Sequence, residues 1–178
     1  MDTVEDNQSS CETLSPLKIL VVDDDLLTQR MMQIMLGRQG HQVDVASNGL
    51  EAFDSVKFHK YDLVFMDLLM PIMDGLEASR RIREWENGGP STLIIAFTAA
   101  YFFEEGHRLF EAGIDNYIAK PFAPDHIERM LKYIAVARSL SPSTPKVTFP
   151  EKFSSKEILE IQNGIGTMNA DVPIWRFA

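Results

Sequence analysis

The sequence predicts an α/β protein in which a parallel β-sheet is covered by helices on both faces. Three observations lead there. From Leu17 to about Ala137, short apolar runs alternate with segments of helical periodicity, the pattern of parallel strands joined by crossover helices. The third and fourth runs, within DLVFM and TLIIAF, are unbroken apolar stretches, as strands covered on both faces are. Gly40, Gly49, Gly75 and Gly113 stand at junctions between segments, where turns favour glycine. Right-handed crossovers then give a doubly wound αβα sandwich.

The elements follow in order. The run KILVV predicts a first strand over 17–22, and a helix over 26–38 follows three aspartates, of which Asp25 also fits as a helix cap. After Gly40 comes a strand over 42–46, then a helix over 49–59. DLVFM predicts a strand over 62–67, and the loop LLMPIMDG leads into a helix over 75–87. TLIIAF predicts a strand over 92–97. A helix over 101–112 opens on Tyr101, Phe102 and Phe103, three adjacent aromatics that cannot all point inward. A strand over 115–119 and a helix over 124–138 complete the core.

Flanking segments differ in composition. Residues 1–15 are polar and acidic without Lys or Arg, which predicts a disordered tail before a core over 16–138. Residues 139–150, SLSPSTPKVTFP, form a Pro/Ser/Thr linker. In the extension over 151–178, Ser154 and Glu157 have capping-box spacing for a short helix. This extension is too short to bury a core of its own.

Composition excludes some classes of function. The formal net charge of −9 argues against nonspecific binding to nucleic acid or anionic membrane, which needs clustered Lys and Arg. With one cysteine, Cys11, no internal disulfide can form. No apolar stretch approaches the about 20 residues of a membrane span, and the N-terminus lacks a signal-peptide pattern. A cytoplasmic location is expected.

The chemistry lies at the strand ends. The runs end on Asp23-Asp24-Asp25, Asp67, Thr98 and Lys120. In an open parallel sheet these carboxyl ends form the ligand crevice. Clustered carboxylates repel one another and raise their own pKa values, and a divalent cation removes that conflict. Oxygen-only ligands favour Mg²⁺ over Zn²⁺. Asp67 is the candidate nucleophile, since a carboxylate attacking phosphorus forms an aspartyl phosphate. The Lys120 ammonium would neutralise phosphoryl oxygens and the Thr98 hydroxyl would hydrogen-bond one of them.

Helix 26–38 offers a candidate partner surface. At about 100° per residue, Leu27, Met31, Ile34 and Met35 form one stripe, expected to face the core. Leu26, Met32 and Leu36 lie away from it, and apolar residues exposed beside an active site suggest docking.

KILVVDDD, YDLVFMDLLMPIMDG, IIAFTA and DNYIAKPF together resemble the receiver domain of two-component response regulators, over about Leu17 to Arg138. The string MDLLMPIMDGLEASRRIRE is most similar to receivers of hybrid histidine kinases and phosphorelays. The resemblance implies a flavodoxin-like five-stranded sheet in the order 2-1-3-4-5 with five helices; a member of this family is a standard example of that order. It implies that Asp67 is the phosphoacceptor and a metal ligand, that Asp24 binds Mg²⁺ directly and Asp23 mainly through water, and that the Leu69 backbone carbonyl completes the set. It makes Thr98 the switch hydroxyl, Tyr117 the switch aromatic and Lys120 the phosphate-binding lysine, with a cis bond to Pro121. The implied partner is a histidine kinase or histidine phosphotransfer protein, which in relatives packs on the first helix. Phosphorylation would be read through the fourth helix, fifth strand and fifth helix. Leu69 and Ala100 offer no acidic or amide group to orient a hydrolytic water, which predicts a long-lived phosphoryl group.

One competing function is a phosphohydrolase of the haloacid-dehalogenase type, whose nucleophile lies in a DxD on the first strand that Asp23-Asp24-Asp25 could mimic. That reading leaves Asp67 and the MPxMDG loop unexplained. A third possibility is a receiver used only as a binding scaffold, which the complete acidic set disfavours.

Overall fold

A computed structural model describes residues 16–88, 92–99, 106–140, 147–148 and 176–177. The strands are β1 (Lys18–Val22), β2 (Gln42–Ala46), β3 (Leu63–Asp67), β4 (Leu93–Ala99) and β5 (Asn116–Lys120). The helices are α1 (Leu26–Arg38), α2 (Gly49–Phe58), α3 (Gly75–Glu86), α4 (Gly106–Glu111) and α5 (Pro124–Leu140). The sheet order is β2-β1-β3-β4-β5 with every neighbouring pair parallel, as the sequence and the resemblance imply.

Alternation along the central strands divides the core in two. Leu20, Val22, Val64, Met66, Ile94 and Ala96 face one side, where they pack with Ala52 of α2, Ala78 and Ile82 of α3 and Leu109 of α4. Ile19, Val21, Leu63, Phe65, Ile95 and Phe97 face the other, against Met32 and Leu36 of α1 and Ile127, Met130, Leu131 and Ile134 of α5. The sheet is thus sandwiched, with α1 and α5 on one face and α2, α3 and α4 on the other.

Helix α1 is rotated from its expected phase. Met32 and Leu36 are fully buried, whereas Leu27, Met31 and Ile34 are exposed and Met35 is half-buried. Met32 and Leu36 are therefore core residues and not a docking surface; of the three proposed docking residues only Leu26 is exposed. The cause is Gln29. Its buried amide donates to the Asp23 and Ala46 carbonyls at 2.7 and 3.3 Å and to Ser47 Oγ at 3.1 Å. A polar residue thus belongs to the inward stripe with Met32 and Leu36, and an apolar stripe is left outside.

At the edge of the sheet opposite the strand C-termini, Arg83 of α3 joins three segments. It donates to the Gly113 and Thr92 carbonyls, each at 2.8 Å, to Glu86 at 2.7 Å and to Asp115 at 2.6 Å. Asp115 also accepts from the Ile94 amide at 2.7 Å.

Beyond the core, α5 continues past Arg138 to Leu140. Two short strands, β6 (Val147–Thr148) and β7 (Arg176–Phe177), pair antiparallel. The N-terminal tail, the aromatic triplet Tyr101–Phe103 and the helix expected after Ser154 lie outside the described residues.

Candidate functional site

The parallel register brings the strand ends to one edge. Val22 lies beside Met66, Asp67 beside Phe97, Thr98 beside Ala119 and Ala99 beside Lys120. Asp23, just after β1, Asp67, ending β3, and Lys120, ending β5, meet there as the strand-end pattern predicts. Lys120 Nζ donates to Asp23 Oδ2 and to Asp67 Oδ2, both at 2.8 Å. Asp23, Asp24 and Asp67 each offer a carboxylate oxygen, and these atoms lie within 4.8 Å of one another. Asp23 is 1% and Asp67 9% exposed, while Asp24 is exposed. The crevice has two nearly buried carboxylates and a third open to solvent.

Its electrostatics are unbalanced. Burial is the largest influence on Asp23 and raises its pKa, against the opposing Lys120 hydrogen bond. Burial also works against the Lys120 charge, but hydrogen bonds and attraction from Asp23 and Asp67 outweigh it and raise the ammonium above its ordinary value. Three carboxylates face one ammonium. An all-oxygen donor set with excess negative charge fits a hard divalent cation.

Asp25 does other work. It caps α1, accepting from the Leu27 and Thr28 amides at 3.1 and 3.2 Å and from the Thr28 hydroxyl at 2.8 Å. These bonds, the hydroxyl's first, hold its carboxyl below the usual range.

The loop after β3 is shaped around Asp67. Asp67 Oδ1 accepts from the Leu69 amide at 3.3 Å. Asp74 caps α3 by accepting from the Glu77 amide at 2.8 Å. A side chain at Gly75 would collide with the Asp67 carbonyl and with Met66, so only glycine lets α3 begin this close to the end of β3. Between them the Met73 amide donates to the Pro71 carbonyl at 2.8 Å, closing a γ-turn around Ile72, whose φ is 72°. For a β-branched residue this positive-φ turn is strained, by roughly 1–3 kcal/mol.

The residues after Lys120 pack back onto the α1–α5 side of the core through Phe122. The Lys120–Pro121 bond is cis, as the resemblance implies. Phe122 stacks on Phe97 at 4.6 Å between ring centroids, and Phe97 on Phe65 at 4.8 Å. Tyr117 is half-buried against the cluster on the α2–α4 face, and burial pushes its phenol up to about 12. Thr98 lies in β4; Ala100 lies outside the described residues.

Sequence reasoning missed Gln29 and Ile72. Gln29 reads as a polar surface residue, and no local signal marks its inward role. Ile72 lies in a recognisable loop, but its positive φ is visible only in the backbone.

Comparison with known proteins agrees with the geometry. The family model described as the response regulator receiver domain matches residues 19–132. Transcriptional regulatory protein ResD of Bacillus subtilis is 41% identical over 129 residues, covering 71% of this chain and 50% of ResD. Hybrid signal transduction histidine kinase K of Dictyostelium discoideum is 34% identical over 65% of this chain and 10% of its own length. The chain therefore spans half or less of these two relatives. The receiver domain of sensor histidine kinase PA1611 from Pseudomonas aeruginosa, solved with magnesium in its active site cleft, is 34% identical with a TM-score of 0.60, over 67% of this chain and 97% of that one. The receiver of Ssk1 from Saccharomyces cerevisiae, crystallised with the histidine phosphotransfer protein Ypd1, is 25% identical with a TM-score of 0.64, over 70% of this chain and 91% of that one. The haloacid-dehalogenase alternative finds no support, and Asp25, the last residue of its supposed motif, is a helix cap. The family match runs from within β1 to within α5 and takes in the whole acidic edge, so this chain belongs to the response regulator receiver domains of two-component and phosphorelay signalling.

Proposed function

We propose that Asp67 accepts a phosphoryl group from a phosphohistidine on a histidine kinase or histidine phosphotransfer protein, in a Mg²⁺-dependent reaction. The observation that carries this is the Lys120 ammonium bridging Asp23 and Asp67 at 2.8 Å beside Asp24. An Asp67 oxygen forms the new O–P bond as the donor's N–P bond breaks. Lys120, already on Asp67, shifts to a phosphoryl oxygen, and the Thr98 hydroxyl holds another. Mg²⁺ held by Asp23, Asp24, Asp67 and the Leu69 carbonyl would supply charge neutralisation.

The added charge of about −1.5 to −2 draws in Thr98, and Tyr117 moves further inward. The α4–β5–α5 face repacks and is the surface that a downstream partner reads. The donor docks on α1, where Leu26, Leu27, Met31 and Ile34 are exposed.

Acetyl phosphate with Mg²⁺ tests the reaction without a protein donor. The expected outcome is one phosphoryl group per chain, prevented by EDTA and restored by excess Mg²⁺. Labelling indifferent to chelation would contradict the proposed metal dependence.

A further inference from the structure

Ile72 is 80% exposed and belongs to neither core cluster, yet its backbone is held at a φ of 72°. Glycine would adopt this conformation with less strain. Among the described residues the side chain therefore joins no core packing that would offset the strain it imposes. Strain of this kind persists where function uses it. Leu69, on the same loop, is 55% exposed.

Asp67 provides the occupant. Its carboxylate is nearly buried, so a histidine carried on a protein can reach it only if the donor's surface closes over the rim. The loop from Leu68 to Asp74 is part of that rim, since the Leu69 amide donates to the Asp67 carboxylate and the Gly75 amide closes the loop onto the Leu68 carbonyl. A small donor can enter without touching Ile72.

We propose that Ile72 is a specificity-determining contact for a histidine phosphotransfer protein, an apolar anchor separate from the α1 stripe that inserts among apolar side chains around the donor histidine. The proposal rests on the reading of Asp67 as the phosphoacceptor.

The test compares the full-length native chain with Ile72→Asn and Ile72→Val. The donors are acetyl phosphate and phosphorylated Ypd1. Ile72→Asn should melt no lower than the native chain, because the exposed Ile72 side chain belongs to neither core cluster and asparagine is not β-branched. Acetyl phosphate should label all three chains at the same rate. Transfer from phosphorylated Ypd1 should fall about ten-fold in Ile72→Asn, as for loss of an interface anchor, and stay near native in Ile72→Val. Equal transfer to the native chain and Ile72→Asn would overturn the proposal, as would no transfer from Ypd1 to the native chain. A parallel loss with both donors would also overturn it, making Ile72 a support of the crevice. Failure of acetyl phosphate to label the native chain would instead remove the underlying reading of Asp67.

Discussion

Lys120 holds together two carboxylates that would otherwise repel each other, and its position at a strand end is why the site could be read from sequence. Asp23, Asp67 and Lys120 each follow or end an apolar run, so a parallel sheet brings them to one edge without any knowledge of loops. Gln29 could not be read in this way, because the acceptors of its amide come from two separate segments. Side-chain identity beside the site carries one prediction. Leu69 has no group to activate water, and its side chain is exposed. After removal of the donor, the phosphorylated chain should keep its label for minutes or longer in Mg²⁺ buffer. Loss within seconds, followed by phosphate release, would show that hydrolysis needs no such group here.

Between elements, the informative failure is α1. Two apolar stripes run along it, and hydrophobicity alone could not say which faces inward; Gln29 decided the phase. The end of the same helix leads to His41, which is 6% exposed and whose Nδ1 accepts from the Leu17 amide at 3.2 Å. Burial lowers its pKa, so the unfolded state binds the proton more readily. Stability is then fully present above the unfolded value of about 6.5 and is lost as pH falls below it. Urea midpoints should decline over that range in the native chain and less so in His41→Asn; equal declines would clear His41. Arg83 ties α3 to the starts of β4 and β5. Arg83→Met should remove the ion-pair partner of Asp115 and cost roughly 3–5 kcal/mol, toward the lower end because 21% of the Arg83 and 28% of the Asp115 side chain are exposed and the Ile94 amide still donates to Asp115. A loss below about 1 kcal/mol would place the network with ordinary surface pairs.

Across the whole molecule, the sheet was legible because its central strands are apolar on both faces and its crossovers have one allowed hand. The strand order came from resemblance and holds in the structure. Among the described residues no helix is long and apolar enough to cross a membrane. What the fold builds is one edge where a deep carboxylate meets an ammonium beside two further carboxylates. The most direct test of that account locates the phosphoryl group. After acetyl phosphate treatment in Mg²⁺, proteolysis and mass spectrometry should place it on the peptide containing Asp67, and Asp67→Asn should carry none. A label on another residue, or one retained in Asp67→Asn, would contradict the account.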